Sequence, residues 1–176
     1  MKQVSVFVGG PIQYAIDQRG IFHAPIRYAI ELVISGLANL GCQILSAHQH
    51  EGFGEMDVSG KFQEVCARDF QWMQQCDIFV AVLPLDETGT VVHSAGTSVE
   101  LGWASAIGKP IVLICDPAPV YSHLVIGLGA VSEVVKIDIN RPDLARALCE
   151  VVANLVRYEH ERSTDRVSYA RCGNLE

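Results

Sequence analysis

The 176-residue sequence predicts an α/β fold in which helices cover both faces of a doubly wound, five-stranded parallel sheet. Three observations predict it. Short β-branched apolar runs alternate with stretches of helical periodicity along the chain. The central runs, VSVFV and IFVAVLP, are almost continuously apolar, as strands buried on both faces are. Glycines close the first strand and the helical stretches over 22–40 and 98–107.

The elements follow in order. VSVFVGG (4–10) reads as a buried strand ending in a tight turn. From 22 to 40, Ile26, Ile30, Val33, Ile34 and Leu37 recur at helical spacing, and Gly41 stops the helix. CQILSA (42–47) is a second strand, followed by a glycine-rich, charged loop (48–60) in which His48 and His50 read as loop histidines. A helix over 61–75 leads to the third strand, 78–84. A polar loop (85–96) precedes a helix over 98–107 that ends at Gly108. Strands over 110–116 and 134–138 and an amphipathic helix over 141–158 complete one domain, 1–158, with a polar tail over 159–176. Sheets of this kind take the flavodoxin-like order 2-1-3-4-5 and bind ligands where the loops after strands one and three diverge. Those loops are GGPIQ (9–13) and 85–98, so topology alone nominates the site.

Composition narrows the function. Thirteen Lys and Arg against twenty Asp and Glu leave a net charge of −7, which disfavours a broad nucleic-acid surface. The start MKQVSVFVGGP lacks the apolar stretch of a secretion signal, and no apolar run approaches the ~20 residues of a membrane span, so a cytoplasmic location is expected. Cys42, Cys66, Cys76, Cys115, Cys149 and Cys172 form no C-x-x-C pair and read as structural thiols; neither metal nor cofactor is expected.

Two carboxylates carry the chemistry. In GTSVELGWASAIGKP (96–110), Thr97 and Glu100 fit a capping box, which would use Glu100 only to satisfy backbone N–H groups. Alternatively, Glu100 lies in the switch-point cleft, where the helix dipole keeps it ionised as a nucleophile. On helix 61–75, Phe62, Val65, Cys66, Trp72, Met73 and Cys76 define an apolar face with Asp69 in its middle. A buried Asp requires a hydrogen bond or pairing, or it is a carboxylic acid with raised proton affinity. An ionised and a protonated carboxylate facing one cleft are the parts of retaining glycoside chemistry.

The motifs VFVGGP, RDFQWMQQCDIFVAVLP (68–84) and GTSVELGWASAIGKPIVLI (96–114), in that order, resemble the nucleoside 2-deoxyribosyltransferase superfamily. The likeness is greatest to its nucleotide N-glycosidase branch, the cytidine and deoxynucleoside monophosphate hydrolases. The resemblance implies Glu100 as nucleophile and Asp69 as the acid that manages the leaving base's proton. It also implies a homodimer or larger assembly in which Ser122 reaches the neighbouring site. Where free-nucleoside transferases carry a sugar-binding Asp, this chain has Ser94, and Ser122 stands for their Asn; both resemble the hydrolases. Phe7 matches relatives that accept a ribose 2′-hydroxyl, whereas Gln13 departs from the Arg or Lys of many hydrolases.

The expected substrate-binding set is Phe7, Gly9, Gly10, Ile12, Gln13, Ser94, Gly96, Ser98 and Ser122. Trp103 is either a wall or a packing residue, and Asp86, Glu87 and His93 lie in the nearest loop. The expected activity is hydrolysis of a nucleoside 5′-monophosphate, a pyrimidine ribonucleotide such as CMP, through a covalent ribosyl-glutamate. The alternatives are a base-exchanging deoxyribosyltransferase and a nucleotide-binding sensor without turnover.

Overall fold

A computed structural model describes residues 3–118 and 121–157. Its five strands are β1 (Ser5–Gly9), β2 (Gln43–Leu45), β3 (Ile78–Leu83), β4 (Ile111–Cys115) and β5 (Val134–Asp138). They form one sheet in the order β2-β1-β3-β4-β5, with every neighbouring pair parallel. This is the doubly wound, flavodoxin-like sheet that the alternating pattern predicts.

Strand periodicity divides the core in two. Val6, Val8, Val80, Val82, Val112 and Ile114 point to the face covered by α1 (Ala24–Asn39) and by the last helix, 144–157. Phe7, Phe79, Ala81, Leu113 and Cys115 point to the opposite face, covered by α3 (Phe62–Gln75) and α4 (Ala95–Ala106). Position 9 shares the parity of Phe7, so it also faces α3 and α4. Helix α1 ends as its glycine predicts. Gly41 takes a φ of +86°, its N–H bonds the Ala38 carbonyl at 2.9 Å, and the Cys42 N–H bonds Leu37 at 3.1 Å. That closure turns the chain directly into β2.

The elements depart from expectation in several places, the last helix among them, which begins at 144 and not at 141. Residues 47–50, read as strand end and loop, form a short helix, α2 (Ala47–His50), in which His48 is buried. Helix α4 begins at Ala95, three residues before the expected start. Between β4 and β5, where the sequence pattern assigns no element, the chain forms α5 (His123–Ile126) and a 3-10 turn over Gly127–Ala130. The expected apolar face of α3 is largely open, with Phe62 74% exposed and Cys66 exposed as well; Asp69 and Met73 are the buried residues of the helix. Helix α3 packs on β1 and α4, and that contact leaves part of the stripe from Phe62 to Cys76 uncovered. The expected tail over 159–176, with Cys172, lies outside the described residues.

Candidate active site

Helix α4 positions Glu100. Ser94, not Thr97, is the N-cap: its Oγ accepts the Thr97 N–H at 3.1 Å and shares a 2.6 Å hydrogen bond with the Thr97 hydroxyl. The helix therefore starts too early for the Thr97–Glu100 capping box, and Glu100 falls in the second turn. There it faces the sheet. Glu100 is 8% exposed, and its Oε2 is buried with no hydrogen-bond partner. A cap would have satisfied that oxygen, so the geometry removes the structural reading of Glu100.

The floor under Glu100 is Gly9. A Cβ built on Gly9 would collide with Glu100 Oε2 and lie 2.9 Å from the Phe79 ring. The glycine is thus the space the carboxyl occupies. Phe7, two residues earlier, is fully buried between Phe79 (5.3 Å between centroids) and Trp72 (5.9 Å). Gly10 turns to the other face, where a Cβ would lie 3.2 Å from the Val82 carbonyl and 3.4 Å from the His48 ring. His48 in turn lies 3.2 Å from the Pro11 carbonyl through Nε2, and burial lowers its pKa to about 4. It is a neutral core residue that braces the first loop, not a loop histidine.

Asp69 comes from the middle of α3. It is buried and paired: Arg68 Nε donates to its Oδ1 at 2.9 Å. Arg68 Nη2 also donates to Glu51 Oε1 at 2.7 Å, and its guanidinium lies 4.7 Å from the Trp72 ring centroid. Burial raises the pKa of Asp69, while the Arg68 hydrogen bond and charge oppose the rise.

Glu100 has no such partner. Burial, with the charge of Asp69 adding to it, pushes its pKa up to about 8. This corrects the expected assignment. A helix dipole acts over the first turn, and in the second turn desolvation wins, so Glu100 holds a proton at neutral pH in the ligand-free protein.

The other expected site residues distribute as follows. Gln13 is exposed at the start of a 3-10 turn, Gln13–Ala15, with half-buried Ile12 before it. Gly96 has open space beside it, and Ser98 Oγ donates to the Ser94 carbonyl at 3.0 Å. Ser122 is exposed and caps α5, accepting the Leu124 N–H at 3.3 Å. Asp86 organises its own turn by accepting from Thr88 and Thr90, Glu87 lies 3.5 Å from His23, and the His93 ring meets Tyr14 edge-on at 6.5 Å. Trp103 packs against Phe70 at 5.1 Å, which is the packing reading. Sequence reasoning missed Arg68 and Glu51. Arg68 stands beside Asp69 in the motif and could have been flagged; nothing in the sequence brings residue 51 to it. Among the described residues no group of three or more His, Cys, Asp or Glu could hold a metal ion, and no helix is long and apolar enough to cross a membrane.

The chain resembles known proteins. Among solved structures, BlsM is 28% identical over 84% of this chain and 91% of its own, with a TM-score of 0.64. The CMP N-glycosidase BcmB of Clostridium botulinum is 24% identical over 84% of this chain and 97% of its own, at a TM-score of 0.55. A conserved protein of Enterococcus faecalis shares the fold at 18% identity, 85% and 96% coverage and a TM-score of 0.56. No curated protein matches the chain. The profile of one family, nucleoside 2-deoxyribosyltransferase, matches residues 6–155, nearly the whole domain that carries Gly9, Asp69 and Glu100. The chain belongs to the nucleoside 2-deoxyribosyltransferase family, whose chemistry is transfer or hydrolysis at the N-glycosidic bond of a nucleoside or nucleotide.

Proposed function

We propose that this protein hydrolyses the N-glycosidic bond of a nucleoside 5′-monophosphate, with a pyrimidine ribonucleotide such as CMP as substrate. The observation that carries the proposal is the unpartnered, buried Oε2 of Glu100 above Gly9, with the second carboxylate, Asp69, close enough to raise its proton affinity. Glu100 attacks C1′ and the bond from C1′ to the base nitrogen breaks. The electron pair leaves with the base, which takes a proton from Asp69. Water then attacks C1′ of the ribosyl-glutamate ester and gives its proton to Asp69. Base and ribose 5-phosphate depart, and Glu100 is free again.

Reaction requires the charge on Glu100 and the proton on Asp69, the reverse of the ligand-free arrangement. Moving one proton between the two carboxyls achieves this without changing the net charge of the site. Positive charge developing at C1′ favours it, because the Glu100 carboxylate then gains the partner that burial denies it.

The phosphate reading rests on position 94. A hydroxyl there, beside the open N-terminus of α4 at Gly96, avoids the repulsion an acid would impose on a phosphate. The likeness to the CMP N-glycosidase makes CMP the first nucleotide to try. Purified protein given a nucleotide panel is expected to release free base, with the 5′-monophosphate exceeding the nucleoside in kcat/KM by roughly ten- to several-hundred-fold. Exchange of an added base would favour a transferase, and tight binding without turnover a sensor. Ser94→Asp keeps a good N-cap, so the fold survives, and it should selectively lower the monophosphate rate. Equal cleavage of cytidine and CMP would put the phosphate elsewhere.

The working unit is proposed to be a homodimer or larger, with Ser122 completing a neighbour's site. The strong exposure of Leu124 (84%) in α5, and of Val131 (75%) after the 3-10 turn that follows it, supports this. Light scattering is expected to show at least a dimer; a fully active monomer would overturn it.

A further inference from the structure

The ion-paired chain Glu51–Arg68–Asp69 is larger than the proposed reaction needs. Arg68 is held on three sides: by Glu51 at 2.7 Å, by Asp69 at 2.9 Å and by the face of Trp72. Trp72 in turn packs on Phe7, in the strand that ends at Gly9. Glu51 is anchored by its own backbone turn. Phe53 sits there in the left-handed region at φ +56°, buried against Phe22 and His48, and the Met56 N–H bonds the Glu51 carbonyl at 3.0 Å. A non-glycine residue is kept in that conformation only when its surroundings compel it. The loop after α2 therefore delivers a fixed, buried carboxylate to Arg68.

We infer that Arg68 is a positioning residue of the active site: clamped by Glu51 and Trp72, it aims Asp69 and holds the site's negative charge on that carboxylate in the resting protein. The inference deepens the proposed function and rests on its assignment of Asp69 as the acid. The charged and titratable groups facing Asp69 are Arg68 on its own helix, His50 and Glu51 at the end of α2, and Glu100 on α4. Arg68 lowers the proton affinity of both Asp69 and Glu100, and Glu51 raises it for both. The two outer residues thus set, with opposite signs, the pH at which the pair loses its last proton. Neither touches the reacting atoms, so their removal acts on kcat more than on KM.

The test is a carbon-detected NMR titration of the carboxyl groups in the ligand-free protein, with the pH profile of kcat/KM beside it. The wild-type profile is expected to fall above about pH 8, where Glu100 loses the proton the reaction requires. Glu51→Gln keeps an oxygen acceptor for Arg68 and so preserves the fold. It should move that midpoint down by on the order of one pH unit. Adding Arg68→Gln to Glu51→Gln should move the midpoint back up and lower kcat by on the order of tenfold, with KM held, because Asp69 is no longer aimed. Midpoints that stay put, or move the same way in both steps, would overturn the inference. Asp69→Asn separates the two levels. If it hydrolyses nucleotide like the wild type, the reading of Asp69 as the acid has failed. If it is inactive while the midpoints do not respond, only the role of Arg68 has.

Discussion

Glu100→Gln is expected to give a folded protein whose base release is lower by on the order of 10⁴-fold or more. The amide has the shape of the protonated carboxyl that the ligand-free protein holds, so packing under α4 is undisturbed, but it cannot form the ribosyl ester. The same substitution carries a stability signature of known sign. Glu100 has its folded-state pKa raised from 4.5 to about 8, so the folded state binds the proton more tightly than the unfolded chain does. Its favourable contribution is complete below about pH 4.5 and is lost as pH rises through 8, a change on the order of 5 kcal/mol. Wild-type thermal stability should therefore fall between pH 5 and pH 9 relative to Glu100→Gln, and the variant should melt higher at pH 9. Base release near the wild-type rate would remove Glu100 from the mechanism. Parallel stability curves would show that its proton affinity is ordinary.

Gly9→Ala is expected to cost both stability and activity. Its Cβ has nowhere to go: Glu100 Oε2 and the Phe79 ring already fill the space, and β1 is a central strand that cannot shift without breaking register with β2 and β3. Overpacking of this kind costs about 1–3 kcal/mol, a fall in Tm of roughly 3–10 °C for a domain of this size. The functional loss should be larger. Displacing the Glu100 carboxyl by about an ångström lowers the rate on the order of 100-fold, because attack at C1′ depends on distance and line. A double-mutant cycle isolates the contact. In a Glu100→Ala background the contact with Oε2 is gone and only the Phe79 ring still crowds the added methyl, so Gly9→Ala should then cost less stability. Equal costs in both backgrounds would locate the strain elsewhere.

The sequence by itself determined the fold and the identity of the two carboxylates. The five strands, their order and the two loops at the switch point follow from hydrophobic period and the handedness of crossovers, which are local or general constraints. The motifs around Asp69 and Glu100 were equally visible. What the residues around the carboxylates do was not. The register of α4 depended on whether Ser94 or Thr97 caps it, two hydroxyl residues of similar local propensity, and only packing against the sheet chose Ser94. That choice decided whether Glu100 is a cap or a buried acid, and with it which carboxylate keeps the proton.

Gly9 read as a turn residue, yet its role is volume, created by a helix that lies 86 to 97 residues downstream. Glu51 caps the end of α2 and Arg68 lies in α3, and only their meeting in the folded chain makes them a pair. Proton affinity depends on solvent exclusion and on charges from distant segments. Neither exists until the chain has folded, which is why the two carboxyls could be picked out in the sequence and their resting charge could not.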